Sequence, residues 1–164
     1  MPKVRADIVD VYVFKRWPTE TVGRIDAYVE LLQLYRVGGS LDSTWQPVMG
    51  TIETGETAVQ TAVREVKEEV GLERGEMKGF WALEQVGPFF IAKKDEIVLS
   101  PRFAVEVAPA WEPRLNEEHS AHRWISGHQA GRYFMWPGQG AAIREILESL
   151  LRPGSLSEGW LRVE

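Results

Sequence analysis

The chain reads as an α+β domain with a mixed β-sheet between helices. β-Branched and aromatic runs recur along most of its length, one strongly periodic helix lies near the middle, and a second lies towards the C-terminal end.

Val4 to Phe14 opens the pattern as a strand carrying Ile8, Val9, Val11, Tyr12, Val13 and Phe14. Lys15 to Asp26 is a polar connection with Pro18 and Gly23. Ala27 to Val37 is ambiguous by periodicity, but Gly38-Gly39 and the segment Ser40-Leu41-Asp42-Ser43 favour a strand and then a loop. A short strand follows at Trp45 to Met49.

The first helix runs from about Thr57 to Val70. Thr57 and Gln60 have capping-box spacing, and Gly71 ends the run. Val59, Ala62, Val63, Val66 and Val70 form its apolar face. Strands are expected at Met77–Gln85, Phe89–Ala92, Ile97–Val107 and His122–Ser126. The last helix, about Gln139 to Leu151, turns Ile143, Ile146, Leu147 and Leu150 to one side and stops at Pro153-Gly154. The tail from Ser155 has no assignable structure, though Trp160 and Leu161 offer side chains to dock it. We expect one domain over residues 1–164, with 153–164 as a short tail.

Composition narrows the class. Hydrophobic residues make up 44% of the 164 residues and charged residues 26%, as in ordinary globular domains. No apolar stretch approaches the roughly 20 residues that span a bilayer, and Met1-Pro2-Lys3-Val4-Arg5 lacks the apolar run of a secretory signal. There are no cysteines, which excludes disulfides and thiolate metal sites. A cytoplasmic protein with no membrane partner is the expectation. The net charge of −5 argues against a nucleic-acid backbone as partner. A phosphate ligand would need help from a metal cation.

The chemistry lies between Gly50 and Leu72, GTIETGETAVQTAVREVKEEVGL. Glu65, Glu68 and Glu69 stand at i, i+3 and i+4 and share one helix face. That face is roughly 120° from the valine face, so the helix can bury its valines and still hold three carboxylates at a cleft. Like charges so spaced repel, and a hard divalent cation turns the repulsion into coordination. Arg64, four residues before Glu68, can orient a carboxylate, and Glu56 adds a fourth acid. A Lys-Glu-Glu run alone is usually a solvated face; the whole segment argues otherwise.

Gly50, Glu56, Arg64, Glu65, Val66, Glu68, Glu69, Gly71 and Leu72 fill every fixed position of a known pattern. A chance match arises on the order of once in a billion starting points. The segment resembles the Nudix box of the Nudix hydrolase family. That resemblance implies an α/β/α sandwich and a loop-helix-loop box over residues 50–72. It implies Glu65, Glu68 and Glu69 as ligands of catalytic divalent ions, Mg²⁺ or Mn²⁺, with the Gly50 carbonyl as a further ligand. Arg64 would orient the carboxylates, and Glu56 would support the loop. The ions would neutralise diphosphate oxygens and acidify a water for in-line attack on phosphorus, with a carboxylate taking its proton.

Outside the box, Trp45-Gln46, Gly55-Glu56-Thr57 and Glu118-His119 ahead of Trp124 resemble the dATP/dihydroneopterin-triphosphate pyrophosphohydrolase branch. The implied reaction releases pyrophosphate from a nucleoside or pteridine triphosphate. Glu118 matches the acid that reaches the metal site from a loop. Arg36 is a candidate phosphate contact, and Trp45 and Phe103 are candidates to stack on a base or pterin ring, although core packing is the commoner use of such aromatics. Pro88 stands where ADP-ribose-type relatives often carry proline, so nucleotide sugars and dinucleoside polyphosphates stay open; Gly87-Pro88 is equally a generic turn. His119, His122 and His128 lack a ligand spacing and read as structural or surface residues. A non-catalytic binding module is a third reading, disfavoured by the intact acids. A homodimer is plausible for the family.

Overall fold

The computed structural model describes residues 1–17 and 28–163. Most of the expected polar connection, and the expected start of the second strand at Ala27, fall outside those residues. In chain order the elements are β1 (Lys3–Arg5), β2 (Ile8–Arg16), β3 (Val29–Arg36), β4 (Trp45–Gln46), β5 (Val48–Thr51), α1 (Ala58–Val70), β6 (Met77–Ala82), β7 (Gly87–Ile91), β8 (Glu96–Ser100), β9 (Arg102–Val107), β10 (His119–Ser126), α2 (Gly127–Tyr133), α3 (Pro137–Arg144) and α4 (Ser157–Trp160).

The larger sheet runs β10-β3-β2-β9-β6, with β4 added to β3 and β5 to β2. Its β2–β9 pair is parallel and its other pairs antiparallel, so the sheet is mixed as expected. A smaller sheet, β1-β8-β7, also has one parallel pair, β1–β8. Two expected strands are therefore each divided between sheets. Val4–Phe14 breaks at Ala6-Asp7, and Ile97–Val107 breaks at Pro101, which has no N–H to give a ladder. The two breaks lie side by side, with the Asp10 N–H donating to the Pro101 carbonyl. Pro47 similarly divides Trp45–Met49 into β4 and β5. Pro88 lies within β7, opposite Leu99, and not in a turn.

Strand alternation sorts the core to the two faces of the larger sheet. Val9, Val11 and Val13 of β2 pack with Leu32, Leu34, Phe103, Val105 and the Ala62, Val66 and Val70 face of α1. Tyr12 and Phe14 point the other way, to Trp81, Phe134, Ile143, Ile146, Leu147 and Leu150. Helices thus cover both faces, giving the α/β/α sandwich. Each fully buried aliphatic or aromatic side chain contributes about 1.5–3 kcal/mol. Phe103 belongs to this interior: it is 2% exposed, with its ring centroid 5.5 Å from that of Phe80. The expectation that it could stack on a substrate ring is corrected on that ground.

The last helix begins at Pro137, whose missing N–H suits a first turn, and continues π-helically from Glu145 to Leu150. α2 went unread in the sequence because two glycines in GHQAGRY lower its helix propensity. In the tail, Leu161 packs on the core, and backbone bonds tie Ala82 to Leu161 and Val163 to Phe80. Trp160, the other expected anchor, is 87% exposed. No helix among the described residues is long and apolar enough to cross a membrane.

The N-terminus of α1 is fixed by its own side chains. Gln60 N–H donates to Thr57 Oγ1 at 3.2 Å, and Thr57 N–H donates to Gln60 Oε1 at 2.8 Å. Gly71 closes the other end at φ 67°, a left-handed conformation that favours glycine. Thr57→Ala should lower unfolding free energy by about 1 kcal/mol in urea titration, with Thr57→Ser close to wild type.

Candidate active site

Burial of the valine face of α1 carries its acids to the rim of β5 and the loop before β10. Glu65 and Glu69 are themselves buried, whereas Glu68, one turn away, is half exposed. Gly50 of β5 lies so close to Glu65 that a Cβ at position 50 would overlap its carboxyl group. Any larger residue there would displace the Glu65 carboxyl from its present position.

Arg64 organises the surrounding acids. Its Nε and Nη2 donate to Glu56 Oε1 and Oε2 at 2.8 and 2.9 Å, a two-pronged pair. Nη2 also reaches the Thr51 carbonyl at 3.0 Å, tying the loop before α1 to β5. Nη1 serves both Glu65 Oε1 at 2.7 Å and Glu68 Oε2 at 3.2 Å. Glu56 in turn accepts from the Thr61 hydroxyl and the Glu53 N–H. The Arg64 guanidinium holds the Glu56 carboxyl down at about 2.

Glu69 is in the opposite situation. Burial, then the neighbouring charges of Glu65 and Glu118, push its pKa up to about 9. Its Oε2 has no hydrogen-bond partner. Glu65 is also raised, chiefly by burial and against the pull of Arg64. His119 Nε2 lies 3.9 Å from Glu69 Oε2, but burial and Arg36 bring the imidazole down to about 4. Both groups are then neutral at pH 7, so their approach is not an ion pair. Asn116 Oδ1 lies 3.3 Å from His119 Nδ1, which suits a proton on Nδ1. Nε2 is then left to face the Gln46 amide at 3.5 Å and Glu69.

The sequence candidates separate into three groups. Glu56, Arg64, Glu65, Glu68 and Glu69 meet at α1 with Gly50. Arg36 and Glu118 join them from β3 and the loop before β10: Arg36 Nη1 lies 2.6 Å from Glu118 Oε2, and the charge of Glu118 is felt at both Glu65 and Glu69. Arg36 also lines a cavity of about 150 Å³ with Ile8, Leu41, Gln46, Met49, Gly50 and Thr51. Trp45 and Phe103 stand apart. Trp45 packs on Tyr35 at 5.1 Å and under the Arg123 guanidinium at 4.0 Å, and that guanidinium also lies 5.0 Å from Tyr133. Its neighbour Gln46 turns to His119, as alternation in β4 requires. Gln46 and His119 entered the sequence reading only as parts of family-like segments, His119 as a structural or surface residue, and the structure sets His119 beside Glu69 with Gln46 facing it. Their signal was adjacency to Trp45 and Glu118, because the histidine spacings carry none.

The donor set suits a hard divalent cation: carboxylates, a backbone carbonyl, an unpartnered buried Glu69 oxygen and a glycine-sized gap beside Glu65. Among the described residues no three acidic or histidine side chains already converge as a cage. Arg64 Nη1 bonds one oxygen each of Glu65 and Glu68, leaving Glu68 Oε1 without a bond to that guanidinium.

An α/β/α sandwich that sets an acid-bearing helix beside a glycine of the neighbouring strand is a recognisable class of protein, and known proteins give it a family. The NUDIX domain model matches residues 26–146, and the chain belongs to that family. It is 29% identical over 101 residues to the asymmetrical bis(5'-nucleosyl)-tetraphosphatase of Sus scrofa, covering 62% of this chain and 68% of that protein. A C. elegans Ap4A hydrolase binary complex superposes with TM-score 0.66 at 18% identity, over 87% of this chain and 95% of the other. The E. coli dihydroneopterin triphosphate pyrophosphohydrolase gives TM-score 0.64 at 22% identity, over 88% and 99%.

The Glu69 shift fixes a pH dependence. Its folded pKa of about 9 lies above the ordinary 4.5, so the folded protein binds more protons across that interval and loses stability as pH rises. His119, lowered from 6.5 to about 4, acts oppositely below 6.5, and Asp10, raised to about 6, adds to the fall only below that pH. Metal-free protein should therefore lose unfolding free energy between pH 6.5 and 9, and Glu69→Gln should flatten that slope in denaturant titrations.

Proposed function

We propose that this enzyme hydrolyses a phosphoanhydride bond in a nucleoside or pteridine triphosphate, releasing pyrophosphate and a monophosphate. The observation that carries the reaction type is the pair of buried carboxyls, Glu65 and Glu69, with raised proton affinity beside Gly50. Such a pair is unfavourable in the free protein and becomes favourable against a cation. Glu65, Glu68, Glu69 and the Gly50 carbonyl would hold that ion, for which Mg²⁺ is the natural occupant and Mn²⁺ an alternative. Bound there, it supplies charge neutralisation for the phosphate oxygens and acidity for the attacking water.

The remaining roles belong to the chain. Arg64 keeps Glu56, Glu65 and Glu68 at fixed separations and ties α1 to β5. Glu118 closes the acid cluster on its solvent side, as a further ligand or as acceptor of the water's proton. Arg36, paired with Glu118 and lining the cavity beside Gly50, meets a phosphate. At about 150 Å³ the cavity is smaller than whole-ligand sites of roughly 300–1,000 Å³, and Arg36 is the cation in a lining otherwise neutral, so the phosphate contact is proposed for Arg36 alone.

The triphosphate is supported by the meeting of Gln46 and His119 beside Glu69, because these residues come from the two segments that resemble the triphosphate branch. A dinucleoside polyphosphate is the second reading, and the tetraphosphatase of Sus scrofa favours it. Trp45 is proposed to contact the base only if the Arg123 stack opens.

Product analysis with Mg²⁺ separates the two. Monophosphate plus pyrophosphate from nucleoside or dihydroneopterin triphosphates is the expected result; cleavage confined to dinucleoside polyphosphates or ADP-ribose overturns the substrate assignment. Glu65→Gln and Glu69→Gln should each abolish turnover with the fold intact by circular dichroism, and full activity in either would remove the metal assignment.

A further inference from the structure

Residues 108–118 join β9 to β10 without helix or strand, yet bonds at successive points fix the segment to the rest of the protein. Near its start, Glu112 accepts from the buried Lys15, from Trp124 Nε1 at 3.1 Å and lies 3.3 Å from His122 Nε2. Trp111 sets its ring edge-on to Trp124. Further on, the segment meets the C-terminal end of α1. Arg114 N–H donates to the Val70 carbonyl at 2.9 Å, Arg114 Nη2 to the Gly71 carbonyl at 2.7 Å, and Asn116 N–H to the Glu69 carbonyl at 3.3 Å. Carbonyls at a helix C-terminus have no partners within the helix, and a cation is favoured there by the dipole. The segment supplies both.

From that anchor only a short run leads to the acid cluster. Asn116 Oδ1 accepts from the Glu118 N–H at 3.1 Å, the His119 N–H donates to the Asn116 carbonyl at 3.4 Å, and the Glu118 carbonyl accepts from the Val37 N–H at 2.8 Å. Glu69 and Glu118 thus belong to one frame, in which the same helix end that carries Glu69 holds the loop that carries Glu118. Gly71 is part of the frame. A Cβ there would lie 3.0 Å from Arg114 Nε, so the glycine that ends α1 also makes room for the arginine.

We infer that Arg114 is a positioning residue for the hydrolytic reaction: it clasps the end of α1 and sets Glu118 against Glu65 and Glu69. This rests on the proposed role of Glu118. The role of Arg114 differs from that of Arg64, which acts among the acids themselves and touches none of the loop. It also explains why an irregular connection can present an acid to a helix face reproducibly: the loop is bonded to that helix and not merely near it.

A double-mutant cycle tests the inference, using Arg114→Ala, Arg114→Lys, Glu118→Gln and Arg114→Ala/Glu118→Gln. The readouts are kcat, KM and the Mg²⁺ concentration for half-activation, with thermal unfolding as a control. Arg114→Ala removes the bond to the Gly71 carbonyl and leaves the backbone bonds to Val70 and Glu69, so it should reduce kcat/KM roughly three- to tenfold. It should also raise the Mg²⁺ requirement, and Arg114→Lys, which can still donate to Gly71, should recover part of the loss. In the Glu118→Gln background, Arg114→Ala should add little. An equal further loss in that background, or unchanged kinetics for Arg114→Ala alone, overturns the clasp while leaving the Glu118 role in place. Full activity of Glu118→Gln overturns that underlying role, and the positioning of it falls too.

Discussion

Two carboxyls placed where water cannot solvate them are the constraint around which the site is built. Glu65 and Glu69 lie one helical turn apart on α1, and both are buried. The charge of Glu65 raises the cost of ionising Glu69, that of Glu68 raises it at Glu65, and Glu118 adds to that cost at both. Burial disfavours the ionised form of both, most at Glu69, whose pKa is pushed up to about 9 in the metal-free protein. Arg64 relieves Glu65 in part by bonding one of its oxygens, but its other bonds go to Glu56, Glu68 and the Thr51 carbonyl and none reaches Glu69. What remains is a set of oxygen donors whose anionic form waits for a cation.

Much of the fold serves to keep that arrangement. The apolar face of α1 docks on Val9, Val11, Val105 and their neighbours, which fixes the rotation of the helix and so the direction of its acids. Pairing of β5 with β2 brings Gly50 beneath Glu65. Pairing of β10 with β3 brings His119 opposite Arg36, and Glu118 one residue earlier into reach of the same arginine. Three of the acids thus come from one helix, but Glu56, Glu118 and Arg36, the partner of Glu118, come from a strand and loops outside it.

That division explains what the sequence could tell. The helix with its cap and glycine stop was legible because its signals are local: Thr57 with Gln60, valines at helical spacing, and Gly71 at a position that proves left-handed. The box acids were legible for the same reason. Sheet membership was not. Nothing local in Val4–Phe14 or Ile97–Val107 announces that each run serves two sheets, although Pro101 marked one of the breaks. Phe103 looked available because alternation does not say which face is covered, and here α1 covers it. His119 looked like a surface or structural histidine because its importance comes from Glu69, fifty residues earlier in the chain and 3.9 Å away in the fold. Trp45 was placed with Gln46 by adjacency, whereas the strand sends the two side chains to opposite faces.

The most direct measurement is the number of protons released when Mg²⁺ binds the metal-free enzyme. Titration calorimetry at pH 7.5 in buffers of different ionisation enthalpy reads that number. A Glu69 carboxyl raised to about 9 must give up its proton to become a ligand. Release of about one proton per protein, abolished in Glu69→Gln, is the predicted result. Binding of Mg²⁺ with no proton release, or with release unchanged in Glu69→Gln, would contradict it.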